Sequence, residues 1–360
     1  YGVHLLNYGR FAEADEVLSD LANNGPPSEK PWAYSIWMYT ALNNGDLATA
    51  IARAHTAAAL DPHNLLAQMN ASQGEALAGH DEQVLAYDHA AKAASAAGGG
   101  EQVRPAARLS MEHEADSNIA EETGDFAAAV AQYDKQLAEP DFTGSHWTAT
   151  YMKSVDLAYQ HDVSASRHAL GAYTDAQIFP LSGLMAGWNQ TNFDFPQFRQ
   201  YAALGDWASA RRDLAQSLAV KEAGGVAARA NVHRQSWPWL ALAMAKTGDI
   251  GAAWMQIGKT PLDCYLCLRL RGEIAATQKN WNGAQYWFAR ATAFAPSIPF
   301  GYSEWGAMLM ARGDLDGAIA KFENAHAKGP HFADPLEMWG EVLIAKNRSD
   351  LALAKFEEAA

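Results

Sequence analysis

The stretch Pro299–Phe332, PFGYSEWGAMLMARGDLDGAIAKFENAHAKGPHF, decides the fold. Tyr302, Trp305, Gly306 and Leu309 recur at i, i+3, i+4 and i+7, one face of a helix. Gly313-Asp314 breaks that helix. Leu315, Ala318, Ile319, Phe322 and Ala325 then restart the same period, and Gly329-Pro330 ends it. The stretch therefore predicts two amphipathic helices joined by a tight turn. Gly306, Ala318 and Ala325 are the small residues where the two backbones must approach closely. Such a pair cannot bury both of its faces alone, so the rest of the chain should repeat it.

It does, with interruptions. Residues 1–28 hold Gly9-Arg10-Phe11 and then Ala14, Leu18 and Leu21, a second helix whose partner is reduced to YGVHLLNY. Pro31 to Asn64 is a good copy, with Tyr34 and Trp37 on the first helix, Gly45-Asp46 at the turn, and Ala50 and Ala57 on the second. Residues 65–97 follow with Gly79 at the turn. Ala93 to Pro105 (AASAAGGGEQVRP) is a break, since each glycine costs a helix about 1 kcal/mol relative to alanine. Residues 110–141 repeat the pattern around Gly124-Asp125-Phe126, and 146–178 keep both helical periods without a turn glycine. There Asp162, with Ser164, reads as a helix cap. Phe179 to Phe198 has no clean period, the pattern returns at Gly205-Asp206-Trp207, and Glu222 to Gly225 is a second break. Pro238 should kink the run from Val226 to Lys246 or mark its true start. The last four units are the most regular, which brings the count to about ten.

Residue for residue the unit resembles the tetratricopeptide (TPR) repeat, a 34-residue helix–turn–helix. The resemblance implies an all-α, right-handed superhelical solenoid whose first helices line a concave inner surface that holds a peptide or a partner protein. It divides the chain into an N-terminal sub-array (1–141), an irregular centre (142–225) and a regular C-terminal sub-array (226–360). Placing the first helix of each pair in the repeat's frame puts Ser35, Tyr39, Asn43, Asn70, Gln73, Glu114, Asn118, Glu121, Arg269, Glu273, Ser303, Ala307, Glu337 and Glu341 toward that surface. Of these, Tyr39, Asn43, Asn70, Gln73, Glu114, Asn118, Glu121, Arg269, Glu273, Glu337 and Glu341 are the candidate groove residues. Side-chain amides could pair a ligand's backbone, and the glutamates would favour a cationic segment. A TPR subgroup that clamps a C-terminal carboxylate needs lysines and asparagines where this chain has Ser35, Tyr39, Gln73 and Glu114, so that partner is not expected.

Composition narrows the rest. Apolar residues make up 49% and charged residues 19%, which excludes a disordered chain. The net charge of −14 argues against nucleic acid, whose phosphates need a basic face. No apolar run is long enough to span a membrane. Two cysteines are too few for a disulfide framework and fit a reducing compartment. Cys264 and Cys267 form a C-x-x-C without further zinc ligands, and they read as small apolar thiols packed between units. The twelve histidines show no metal spacing, and G-x-S-x-G, P-loop and G-x-G-x-x-G motifs are absent. Neither a cofactor nor catalysis is expected. The chain opens on Tyr1 rather than Met and so reads as a piece of a larger, bacterial, cytoplasmic protein. The expected function is a non-catalytic protein-interaction scaffold. Its rival is a sensor in which a ligand in the groove changes the superhelix and controls an attached DNA-binding or signalling domain.

Overall fold

The computed structural model describes residues 1–99, 105–139, 145–175, 197–223 and 232–360. Among them lie twenty α-helices and no strand, paired in chain order. The first five pairs are α1 (Gly2–Asn7) with α2 (Phe11–Asn24), α3 (Lys30–Asn43) with α4 (Leu47–Leu60), α5 (Leu65–Ala78) with α6 (Asp81–Ala96), α7 (Pro105–Thr123) with α8 (Phe126–Ala138), and α9 (Ser145–Tyr159) with α10 (Val163–Asp175). The other five are α11 (Gln197–Ala203) with α12 (Trp207–Ala223), α13 (Val232–Lys246) with α14 (Ile250–Ile257), α15 (Tyr265–Thr277) with α16 (Trp281–Phe294), α17 (Phe300–Arg312) with α18 (Leu315–Lys328), and α19 (Ala333–Ala345) with α20 (Ser349–Ala359).

One backbone device closes every pair. A residue with positive φ follows each first helix: Gly9, Gly45, Gly79, Gly124, His161, Gly205, Gly248, Lys279, Gly313 and Asn347. The next residue donates its N–H to the carbonyl five positions back, as Asp46 does to Ala41 and Asp314 to Leu309. This left-handed C-terminal cap satisfies a carbonyl that the helix end would leave open. The donating residue then starts the second helix. In seven units it is Asp or Asn, and its side chain accepts the N–H three residues on: Asp46 from Thr49, Asp125 from Ala128, Asp162 from Ala165, Asp206 from Ser209, Asp249 from Ala252, Asn280 from Gly283 and Asp314 from Gly317. Gly-Asp thus stops one helix and starts the next within two residues. In the unit without a turn glycine, His161 takes the left-handed conformation and Asp162 the cap.

Lys279 occupies the same left-handed position at φ 57°. A side chain there costs about 1–2 kcal/mol. Glycine would remove that strain but make the unfolded chain more flexible, at about 0.4–1 kcal/mol. Lys279→Gly is therefore expected to stabilise the protein by about 0.5–1 kcal/mol, read as a rise in the thermal or urea midpoint.

Packing within a pair is set by size. A Cβ on Gly272 would lie 2.7 Å from the Phe288 ring, one on Gly306 2.5 Å from Phe322, and one on Gly340 2.5 Å from Phe356. The first helix has no side chain where the ring of the second must lie flat against it. Phe288 and Phe322 are fully buried, as are Ala318 and Ala325. Pro238 lies inside α13 and does not start it. Of the two alternatives expected for it, a kink in the run or the helix start, the second is therefore corrected. Pro238 is buried, and the helix continues through it. Most of the aromatic stretch 179–198 falls outside the described residues, apart from the start of α11, where Phe198 joins the core with Leu214 and Leu240.

The superhelix returns on itself. Tyr265 N–H donates to Gly79 O at 2.8 Å, Arg234 Nη1 to Ala78 O at 2.7 Å, and Ser297 N–H to Glu82 Oε2 at 2.8 Å. Further along, Phe126 faces Phe300 and Phe332, Gly124 lies against the Phe332 ring, and His161 meets Asp334 at 3.5 Å. Leu85 and Ile119 share a buried cluster with Tyr265, Leu268, Ala295 and Ile298. The turns within the third, fourth and fifth pairs thus meet the connections that lead into the eighth, ninth and tenth. This seam has its own apolar core and backbone hydrogen bonds. Nothing in the repeat pattern announces it.

At the seam the cysteine reading is corrected. Cys264 and Cys267 are joined as a disulfide, not packed as free thiols. Both are fully buried, as the packing reading requires, and the short C-x-x-C spacing at the start of α15 brings the sulfurs together.

Candidate functional site

The first helices present their inner faces to the interior of the superhelix, and that interior is acidic. From α7 come Glu114, Glu121 and Glu122, from α9 Asp156, and from α6 Asp81 and Asp88. Across the seam, α15 and α17 add Glu273 and Glu304. Among the described residues the cations acting on these groups are Arg199, Arg269 and Lys246, with His80 beside Asp81. Arg269 pairs with Glu304 through Nε at 3.0 Å and Nη2 at 2.9 Å and also feels Glu273 and Asp81. Lys246 reaches Glu273 at 3.4 Å. Carboxylates outnumber cations, and each raises the cost of ionising the next.

Titration follows from that enclosure. Burial pushes Asp88 up to about 7, despite hydrogen bonds from Ser72 and Asn118. Burial also lifts Glu121 to about 7, against the Tyr133 hydroxyl that donates to it. Asp81 rises to about 6 and Glu304 to about 8, again chiefly through burial. Glu122 and Asp156 lie well above the usual carboxylate range, through burial and then the charges of Asp81 and Glu121 respectively. Glu114 rises through burial, although its side chain keeps contact with solvent. The Oδ2 atoms of the buried Asp88 and Asp156 accept no hydrogen bond.

The fold is TPR-like. Its ten left-handed turns, paired helices and glycine-to-phenylalanine contacts one repeat apart carry that description. No family model and no curated protein matches the chain. Solved structures to which it is similar include yeast Tom70, at 11% identity over 99% of this chain and 90% of that one, with a TM-score of 0.40. A tetratricopeptide repeat protein from Parabacteroides merdae is 13% identical over 70% of this chain and 92% of its own, also at 0.40. MamA is 18% identical over 45% of this chain and 91% of its own, at 0.32.

The TPR-like array places the sequence candidates in three groups. Tyr39, Asn43, Asn70 and Gln73 come together, but largely with one another. The Tyr39 hydroxyl bonds Asn70 Oδ1 and Gln73 Oε1, both at 3.0 Å, and Asn43 Nδ2 donates to Tyr39 O at 2.8 Å. Asn70 is only 4% exposed, and its Nδ2 donates to Ser35 O at 3.1 Å, so its amide is committed to joining two units rather than open to a ligand. Glu114, Asn118, Glu121, Arg269 and Glu273 belong to the acidic interior, with Asn118 turned to Asp88 at 3.5 Å. Glu337 and Glu341 are exposed on α19, and Glu337 acts on Asp334 rather than on the interior group. Ser35 and Ser303 are buried under neighbouring helices, because a serine is too short to reach the interior as Arg269 does. Asp81, Asp88, Glu122, Asp156, Glu304 and Arg199 escaped the sequence reading. Asp81 and Asp88 sit on a second helix, outside the frame used, and Glu304 is one residue beyond Ser303. Among the described residues no group of His, Cys, Asp and Glu is arranged to hold a metal ion, and no helix is long and apolar enough to cross a membrane.

The raised carboxyls set an unusual pH dependence. A carboxyl whose pKa is higher in the folded state binds more protons there than in the unfolded chain. Its contribution is complete below the unfolded value near 4 and is lost as pH rises through the folded value. For Asp81, Asp88, Glu121 and Glu304 that window runs from about 4 to about 8. Asp15, Asp46, Glu75 and Asp263, which are held low, act oppositely, and their contribution is lost only in stronger acid. The thermal midpoint is therefore expected to be higher near pH 5 than near pH 8, and Asp88→Asn should flatten the slope. A midpoint that climbs steadily to pH 8 would contradict this.

Proposed function

We propose that the chain is a non-catalytic protein-interaction scaffold whose concave, acid-lined interior takes an extended segment of a partner protein bearing basic side chains. The excess of enclosed carboxylates over cations supports the reading. Ionised, these groups repel one another, and a lysine or arginine laid among them relieves that cost while the groove walls exclude water. The acidic lining also disfavours an anionic partner and nucleic acid.

Fluorescence anisotropy with two labelled dodecapeptides, alternating Arg-Ser and alternating Asp-Ser, tests the reading at low salt. The basic peptide should bind and the acidic one should not, and added salt should weaken the complex. Glu114→Lys, a change at a solvent-accessible side chain, should cost at least about tenfold in affinity, the effect of one like charge worth about 1.4 kcal/mol. Equal binding of the two peptides would refute the reading.

A second reading, a sensor whose superhelix changes on binding, draws support from the seam. A segment threading the interior must pass the contacts between Gly79 and Tyr265 and between Gly124 and Phe332, or open them. A sensor should change its radius of gyration in small-angle scattering when the peptide binds, and a rigid scaffold should not.

A further inference from the structure

We infer that Glu121 and Asp156 form a proton-exchange subsite within the interior, holding one shared proton while the groove is empty and releasing it when the ammonium or guanidinium group of a bound basic segment arrives. The inference rests on the proposed binding of a cationic segment. It names where the charge is received and what leaves.

The geometry carries it. Glu121 projects from α7 and Asp156 from α9, and the two carboxyls lie within hydrogen-bonding range of each other. Two carboxylates in contact, with Asp156 fully buried, resist both being ionised, so one proton bridges them. The surroundings supply one cation and several acceptors. Tyr133 on α8 donates its hydroxyl to Glu121 Oε1, which leaves Asp156 as the partner that receives nothing from it. Asp156 is 1% exposed, and its Oδ2 has no hydrogen-bond partner at all. Arg199 on α11 acts on both carboxyls, while its guanidinium also bonds the Tyr159 hydroxyl and lies 4.6 Å from the Trp239 ring centre. Glu114 on α7 adds a further negative charge, and Glu122, the next residue along α7, feels the charge of Glu121.

Charge then balances in both states. With one proton shared, the pair carries one negative charge, which Arg199 matches. Fully ionised, it carries two, and the second needs a cation that no described side chain supplies. A basic side chain from a bound segment is that cation, and the proton leaves to solvent. Tyr133, Asp156 and Arg199 come from three helices packed around Glu121, so the pair is assembled by the superhelix and not by any single unit.

Isothermal titration calorimetry of the full chain with the Arg-Ser dodecapeptide, in phosphate and in Tris at pH 7, reads the proton directly. The two buffers differ in ionisation heat, so release of about one proton per peptide gives a buffer-dependent enthalpy. Affinity should rise by up to about tenfold per pH unit between pH 6 and 8. In Glu121→Gln and, separately, Asp156→Asn, the peptide should still bind, more weakly, and the proton release read from the two buffers should fall by about one. Circular dichroism confirms that each variant is folded. Peptide binding with no buffer-dependent heat, or unchanged release in both variants, overturns the subsite while leaving the scaffold reading in place. No binding of the basic peptide at all overturns both.

Discussion

Arg271→Met is expected to lower stability by about 3–5 kcal/mol, one of the two largest losses expected here from a single substitution. Arg271 on α15 is 4% exposed and meets no carboxylate. Its Nη1 donates to Cys267 O at 2.9 Å and Pro261 O at 3.3 Å, and its Nη2 to Ile257 O at 2.7 Å and Thr260 O at 2.9 Å. One guanidinium therefore ties the end of α14 to the connection into α15: Ile257 O also accepts the Thr260 N–H and hydroxyl, but among the described residues Arg271 alone donates to Thr260 O and Pro261 O. Burial, then the nearby Arg290, pushes its pKa down to about 10, so the charge is retained at neutral pH at some cost. Methionine matches the aliphatic stem and the contact with Trp287, whose ring centre lies 5.3 Å from the guanidinium, but it takes the donor away from the Thr260 and Pro261 carbonyls. Arg271→Lys should recover part of the loss, because an ammonium donates from one point where the guanidinium reaches four acceptors from two nitrogens. Urea unfolding followed by circular dichroism measures both. A loss below about 1 kcal/mol for Arg271→Met would show that those carbonyls find water instead.

Gly79→Ala and Gly313→Ala separate backbone strain from the seam. Both glycines have positive φ, 72° and 90°. A Cβ on Gly313 meets nothing within 4 Å, so alanine there is expected to cost only the left-handed strain less the gain from a stiffer unfolded chain, about 1 kcal/mol. A Cβ on Gly79 would stand 2.9 Å from Cys264 Sγ, a sulfur held in the disulfide with Cys267. The seam must move or the hydrogen bond from Tyr265 N–H to Gly79 O must lengthen, which adds about 1–3 kcal/mol of overpacking. The total for Gly79→Ala is therefore expected near 2–4 kcal/mol. Equal midpoints for the two variants would mean that the seam contact adds nothing to stability.

The unit was legible because it is written in residues with few other uses. Gly-Asp at a turn, and a glycine opposite a phenylalanine, signal a left-handed cap and a close helix pair almost without context. Where His161, Lys279 and Asn347 take the left-handed position instead, that signal is missing, and only the apolar period shows the unit. The seam was not legible, since its residues have sufficient local explanations. Gly79 and Gly124 are already required by their turns, and Leu85 by its own helix, so nothing marks their second contact. The candidate site was half legible. Glu114, Glu121, Arg269 and Glu273 fell in the frame, but Asn70 did not stay available, because its amide is spent between units. The Glu121–Asp156 meeting depends on how α7 and α9 pack, which spacing along one helix cannot give.

The seam also changes how the molecule should come apart. In an open row of repeats each unit is held only by the two beside it, so unfolding starts at an end and spreads inward one unit at a time. Here the third unit also holds the seventh, the eighth and the connection into the ninth, through the hydrogen bonds of Arg234 to Ala78, Tyr265 to Gly79 and Ser297 to Glu82. Fraying at the C-terminal end must strip contacts from the N-terminal half before it can advance. The row behaves as a closed ladder, and amide protection in α5 and α6 becomes a report on whether α15 is folded.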